Sequence, residues 1–211
     1  MKKTLIEVCR VFRIAKEFAY ALWKMRKVKN GISIFGSART SENNKYYIQA
    51  FWLAFQLSEL GMDCVSGGGP GAMEAINRGA KCSGVGKNVG LNIDLPFEQD
   101  PNPYIETLIT FRYFFIRKAM FVKNAKAIVV FPGGAGTNDE LFEVITLIQT
   151  KKIKQVPVIL VGKEFWHNFD NWMRYLVNEG MMSKEDLDIY KIVDSNEEVI
   201  EILNKNLTHS H

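Results

Sequence analysis

An α/β fold, with a doubly wound parallel sheet and helices on both of its faces, is predicted by three features of the sequence. From Gly31 onward short β-rich runs alternate with helical ones. Several of those runs are apolar almost throughout, as strands covered on both faces must be. Glycine-rich turns follow three of them, at the strand ends where open α/β sheets bind their ligands. Together these describe a Rossmann-like domain.

Leu5, Val8, Cys9, Phe12, Ala15, Ala19, Leu22 and Trp23 recur at three- and four-residue spacing and write one apolar stripe along an amino-terminal helix. Lys and Arg occupy much of its other face. Residues 1–30 hold nine Lys/Arg against two Glu, net +7, so the overall charge of +4 leaves residues 31–211 at −3. A basic amphipathic arm of this kind can lie on a membrane or on nucleic acid, but packing on the body or on a second subunit is the commoner use. The expected organisation is an arm over 1–30 and one domain over 31–211.

In that domain Ile32–Phe35 reads as a strand ending in Gly36-Ser37. Tyr46–Leu60 reads as a helix closed by Gly61, and Asp63–Ser66 as a strand running into Gly67-Gly68-Gly69-Pro70-Gly71. A helix over about Ala72–Cys82 and a strand near Val89–Ile93 lead to the loop Leu95–Pro103. A strand near Thr107–Thr110 precedes a helix over Tyr113–Asn124. The apolar strand Ala127–Phe131 meets Pro132-Gly133-Gly134-Ala135-Gly136-Thr137 and a helix over Asn138–Thr150. The last third gives a strand at Val156–Val161, a helix at Phe165–Asn178, a strand near Tyr190–Val193 and a final helix from Ser195, where Ser195 and Glu198 form a capping box.

Composition excludes several classes. With 211 residues, 47% hydrophobic and 24% charged, the chain can bury a full core and is not disordered. No run approaches the roughly 18 apolar residues that cross a bilayer. Met1-Lys2-Lys3-Thr4 meets Glu7 and Arg10 before a signal-peptide stretch forms, so a cytoplasmic protein is expected. Three scattered cysteines and a single internal histidine, His167, argue against a disulfide framework and against a metal site.

Gly36-Ser37-Ala38-Arg39, Ser66–Gly71 and Pro132–Thr137 bring backbone N–H groups to three strand ends and describe an anion pocket, most plausibly for phosphate. Gly67–Ala72 satisfies G-x-G-x-x-A, yet a run of five glycines and prolines matches such spacings by chance, and Asp94 alone is placed to hold a ribose. The Walker pattern is absent, because no glycine loop contains Gly-Lys-Ser/Thr.

Pro132-Gly133-Gly134-Ala135-Gly136-Thr137-Asn138-Asp139-Glu140 reads P-G-G-x-G-T-x-x-E and resembles the signature of the Lonely Guy (LOG) family of cytokinin-riboside-monophosphate phosphoribohydrolases, many of whose bacterial members carry a "possible lysine decarboxylase" label. Arg117-Lys118-Ala119-Met120 resembles that family's R-K-x-x-M segment, and Ser66–Glu74 its first glycine loop. Ile34–Arg39, Leu95–Gln99, Phe111–Phe114 and Leu147–Thr150 are similar to the bacterial branch. Residues 30–195 are covered. The resemblance implies hydrolysis of the N-glycosidic bond of a purine nucleoside 5′-monophosphate, AMP or an N6-substituted AMP such as isopentenyl-AMP, to free base and ribose 5-phosphate. A homodimer is expected from it and from the apolar Phe114, Phe115, Met120, Phe121 and Val122 of the helix Tyr113–Asn124, and no cofactor or metal is expected. Carried over by motif, Arg117 and Glu140 match the catalytic pair. Lys118, Gly133, Gly134, Gly136, Thr137, Glu98 and Thr146 match substrate-binding positions, beside Gly36, Ser37, Gly68 and Gly69 of the other loops. Ala135 stands where an aromatic residue is common, and Asn138 where leucine is. No nucleic acid or membrane partner is expected.

The chemistry agrees with the residue types. Cleaving an N-glycosidic bond passes through an oxocarbenium-like state, which a carboxylate such as Glu140 can stabilise while taking a proton from water. Arg117 offers a charged planar fork to phosphate or departing base. Two alternatives stand beside this. Thr137-x-x-Glu140 is also a capping box, with Glu140 reaching back to Thr137 N–H. The same fold and glycine loops also occur in molybdenum-cofactor carriers, which bind without hydrolysis. Decarboxylation would require pyridoxal phosphate on a lysine with a partner for the ring nitrogen, and the sequence displays neither.

Overall fold

The computed structural model describes residues 2–96 and 100–207, with the side chains of 2–5 and of Leu207 excepted. The elements run α1 (Lys2–Met25), β1 (Gly31–Phe35), α2 (Lys45–Glu59), β2 (Asp63–Ser66), α3 (Ala72–Ser83), β3 (Asn88–Ile93), β4 (Thr107–Phe111), α4 (Phe114–Lys123), β5 (Ala125–Val130), α5 (Ala135–Gln149), β6 (Val158–Val161), α6 (Lys163–Asn178), a 3₁₀ turn (Lys184–Ile189), β7 (Tyr190–Val193) and α7 (Asn196–Leu207).

Among the described residues seven strands pair in the order β4-β3-β2-β1-β5-β6-β7, every pair parallel. The strand order reverses between β1 and β5, and the crevice of such a sheet opens at that switch point. Alternate residues of the central strands serve opposite cores. Ile32, Ile34, Ala127 and Val129 are fully buried against Leu53 and Leu57 of α2, Ala75 and Ile76 of α3, and Val199 and Leu203 of α7. Ile128 and Val130 meet Ile116, Met120 and Phe121 of α4, Leu141 and Val144 of α5, and Trp166 and Met173 of α6. The predicted doubly wound sheet is therefore present, helices covering both faces.

Boundaries depart from expectation where a particular residue intervenes. Strand β6 starts at Val158 because Pro157 has no N–H for the ladder; only its carbonyl takes part, accepting from Ile128 N (2.8 Å). Helix α5 starts at Ala135, three residues before the expected Asn138. The predicted capping box at Ser195 is present: Glu198 N donates to Ser195 Oγ (3.2 Å), and Ser195 N donates to Glu198 Oε2 (3.0 Å).

The arm is half in and half out. Ala21, Met25 and Val28 are buried in the core of the α4 face, whereas Ile6, Val11 and Phe12 are more than half exposed. Among the described residues no helix is long and apolar enough to cross a membrane. Buried Asp63, at the start of β2, fixes the join between arm and sheet. Its carboxylate accepts from Lys29 N (2.9 Å) and Asn30 N (3.4 Å) through one oxygen and from Lys87 N (2.9 Å) through the other.

Asp63→Ala would strand three backbone donors, each costing about 1–3 kcal/mol when left unpaired in a protein interior. Discounting for their partial exposure, denaturant unfolding should report a loss of roughly 2–4 kcal/mol. Asp63→Asn, which keeps one acceptor oxygen, should lose less.

Candidate active site

The site lies at the switch point, where the turns after β1, β2 and β5 converge. Ser37 joins all three: its N–H donates to Pro132 O (3.2 Å), and its carbonyl accepts from Ala72 N (3.0 Å) at the start of α3. Gly71, the residue before α3, stands at φ +68°, and a side chain there would run into the Ser37 and Ala38 backbone. In the β5 turn, Gly133 lies against the Thr137 side chain, so a Cβ at 133 would overlap that hydroxyl. Asn138 braces the same turn, its Nδ2 donating to Gly134 O (3.0 Å) and more weakly to Gly133 O (3.4 Å).

Helix α5 makes its first helical bond from Asn138 N to Gly134 O (3.0 Å). The N–H groups of Ala135, Gly136 and Thr137 thus precede the helical ladder, as an anion-binding helix start requires. This geometry overturns the capping-box alternative. Gly134 is the N-cap and has no side chain to cap with, Thr137 is buried in the third position of α5, and Glu140 has advanced almost a further turn.

Glu140 meets Arg117 across a cavity of about 540 Å³. The Arg117 Nη1 to Glu140 Oε1 distance is 3.8 Å, and the side chains are only 13% and 9% exposed. Arg117 is oriented by other contacts: its Nε donates to Leu91 O (2.7 Å), and its guanidinium lies over the Phe121 ring, 5.1 Å from the centroid. Burial pushes the Glu140 carboxyl up to about 7, against the pull of the Arg117 and Lys118 cations and helped by the nearby Glu143 and Asp139 carboxylates. Burial likewise lowers Arg117 below its ordinary value, with Glu140 working the other way.

Of the residues singled out from sequence, Gly36, Ser37, Gly69, Gly134, Gly136, Thr137, Arg117 and Glu140 line this cavity together. Among the described residues Gly68, Gly133, Lys118 and Thr146 do not line it. At Gly68, which stands at φ +72°, a side chain would press on Gly90 and Ile105. Lys118 points to α5, its ammonium 3.0 Å from Asp139 Oδ1 and 2.7 Å from Glu143 Oε2. Thr146 is exposed farther along α5, its carbonyl accepting from Thr150 Oγ1 (2.7 Å). Glu98 lies outside the described residues.

Sequence reasoning missed a buried amide cluster behind the β2 turn. Ser66 Oγ donates to Asn77 Oδ1 (2.6 Å), and Asn77 Nδ2 donates to Asn88 Oδ1 (2.7 Å). Asn102 Nδ2 reaches both Gly69 O (3.0 Å) and Asn77 Oδ1 (2.8 Å), while its N–H bonds Gly68 O (2.9 Å). Asn77 was detectable: it is an amide set among Ala75, Ile76, Gly79 and Ala80 on the buried stripe of α3.

Residues 73–203 match the model of the family described as "Possible lysine decarboxylase". The chain belongs to that family. A cytokinin riboside 5′-monophosphate phosphoribohydrolase of Arabidopsis thaliana is 31% identical over 154 residues, covering 72% of each chain. A pyrimidine/purine nucleotide 5′-monophosphate nucleosidase of Escherichia coli K12 is 30% identical over 142 residues, 63% of this chain, which spans only 31% of that protein's length. The molybdenum cofactor binding protein of Rippkaea orientalis superposes with a TM-score of 0.63 at 20% identity, covering 85% of this chain and 98% of that one, a likeness of fold. The family's description implies a pyridoxal cofactor, which needs a lysine for its Schiff base. Among the described residues no lysine lines the cavity, and Lys118 is held by two carboxylates, so the site does not fit that group.

The raised Glu140 carboxyl has consequences of definite sign. Its pKa is about 7 in the folded protein against an ordinary 4.5. The folded state therefore holds the proton more tightly, and stability falls as pH rises from 4.5 to about 7. Glu140→Gln should raise Tm at pH 8 and leave it nearly unchanged below pH 4, as thermal scans at the two pH values would show. A fall in Tm at pH 8 would contradict the cost assigned to the buried charge.

Proposed function

We propose that the protein hydrolyses the N-glycosidic bond of a nucleoside 5′-monophosphate, AMP or an N6-substituted AMP such as isopentenyl-AMP, to free base and ribose 5-phosphate. The observation that carries this reading is the buried Glu140 carboxyl, titrating near 7 opposite Arg117 within a glycine-lined cradle. A hydrolase working near neutral pH uses such a group as its base.

The 5′-phosphate takes the N–H groups that open α5, beside the turns carrying Gly36, Ser37 and Gly69. The ribose then extends toward Glu140. As the bond from C1′ to the base nitrogen breaks, its electron pair leaves with the base, and positive charge grows on the ribose beside the Glu140 carboxylate. Water adds to C1′ and gives a proton to Glu140, while the departing base takes a proton from solvent, to which Glu140 releases its own before the next turnover. Arg117 stabilises the negative charge that develops on the base. Met73, Ile93, Leu95 and Phe114 supply apolar wall for a planar base, and a cavity of about 540 Å³ suits a mononucleotide rather than a nucleic acid. Lys118 acts through Asp139 and Glu143, which flank Glu140.

We place this chemistry in the cytoplasm, on a homodimer. Phe114 and Phe115 of α4 are 51% and 56% exposed, and a second copy would cover them.

Purified protein incubated with a nucleoside monophosphate panel should release free base and ribose 5-phosphate from AMP or isopentenyl-AMP, with chelator making no difference and adenosine a poor substrate. Turnover should rise with pH through about 7 as Glu140 loses its proton. Glu140→Gln should lower turnover by roughly 10²–10⁴-fold. Equal rates on adenosine and AMP, or near-normal turnover by the Gln variant, would refute the mechanism, and a monomeric mass by light scattering would refute the dimer.

A further inference from the structure

The amino-terminal arm grips both ends of the helix that carries Arg117. At the entrance to α4, Glu17 Oε1 accepts from Arg112 N (3.1 Å) and Tyr113 N (3.3 Å). Tyr113 is the N-cap of α4 and provides no side-chain cap of its own. At the exit the C-cap residue Asn124 donates from Nδ2 to Met25 O (2.7 Å), the last residue of α1. Between these points Ala21 and Met25 are buried in the same core as Met120 and Phe121.

The entrance is coupled directly to the site. Arg117 N donates to Tyr113 O (3.3 Å), so Arg117 hangs from the residue that Glu17 holds. One turn separates the arm's carboxylate from the guanidinium facing Glu140. A negative group at this end of α4 is also favoured by the helix dipole. The arm's other acidic residue, Glu7, pairs with Arg10 on the arm itself (3.2 Å).

We propose that Glu17 is a positioning residue for the reaction: through the entrance of α4 it sets Arg117 at its working distance from Glu140, making the arm a part of the active-site framework. This rests on the hydrolytic reading above. Displacing reacting groups by about an ångström can cost two orders of magnitude in rate.

Glu17→Ala should therefore lower kcat for AMP by roughly ten- to a hundredfold with KM nearly unchanged. It should also move the pH midpoint of kcat upward. The charged groups facing Glu140 are Arg117 and Lys118 of α4 and Asp139 and Glu143 of α5, and of these Arg117 does most to keep its carboxyl acidic. Glu17→Gln, which keeps an acceptor oxygen for both N–H groups, should restore rate and midpoint, and Glu7→Ala should match the wild type. An unchanged kcat in Glu17→Ala, or a lowered kcat with an unmoved midpoint, would overturn the proposal. Amide hydrogen exchange at Arg112 and Tyr113 needs no substrate. If the wild type cleaves no nucleotide, the hydrolytic reading fails alone, and exchange that is faster in Glu17→Ala but not in Glu17→Gln still supports the brace. Equal exchange in all variants would remove it.

Discussion

A carboxylate kept from water and only loosely paired sets the terms for the rest of this structure. Arg117 and Glu140 stand 3.8 Å apart, too far for a good hydrogen bond, and both are nearly buried. Removing two charges from water is costly, and so open a pair does not recover the cost through mutual attraction. The guanidinium is held instead by the Leu91 carbonyl and the Phe121 ring. Glu140 is thereby left with free oxygens directed at a cavity, an arrangement unfavourable for stability and suited to a ligand.

Holding such a pair requires both side chains to stand on elements that cannot yield. Helix α4 leads into β5 and α5 leads out of it, so the pair spans the two crossovers of a central strand whose Ile128, Val129 and Val130 are fully buried. The three turns around the cavity are stitched to one another through Ser37, and the β2 turn is backed by the Asn77–Asn102 amides. Buried amides carry a heavy penalty if unmatched. Here each satisfies another, and together they define where the glycine loop lies.

Much of this was legible in the sequence, for identifiable reasons. Parallel central strands declare themselves as apolar runs, and the turns after them as glycines, so the sheet and the three-loop pocket could be read directly. The start of α5 lies earlier than the pattern suggests because Gly136 and Thr137 have weak helix propensity; there the tertiary position of the turn outweighs propensity. Lys118 follows Arg117 in sequence but faces α5 rather than the cavity. Consecutive residues point about 100° apart, so when Arg117 enters the cavity Lys118 cannot follow it. Thr146 lies roughly 9 Å farther along the axis than Glu140 and on a different face. Asn77 and Asn102 form a cluster from separate parts of the chain, and no local pattern predicts such a meeting.

Lys118 nonetheless matters to the balance at the site. Around Glu140 two cations, Arg117 and Lys118, oppose two carboxylates, Asp139 and Glu143. Their charges offset one another, and burial, the largest influence on Glu140, decides its proton. A group governed in this way responds to whatever enters the cavity. A phosphate in the α5 cradle brings negative charge and displaces water, and both favour the protonated carboxyl. In the proposed hydrolysis bond cleavage does the reverse, since positive charge growing on the ribose favours the carboxylate. Binding thus raises the pH at which Glu140 gives up its proton, and the growing cation lowers it again, so the carboxylate that takes water's proton is favoured most in the transition state.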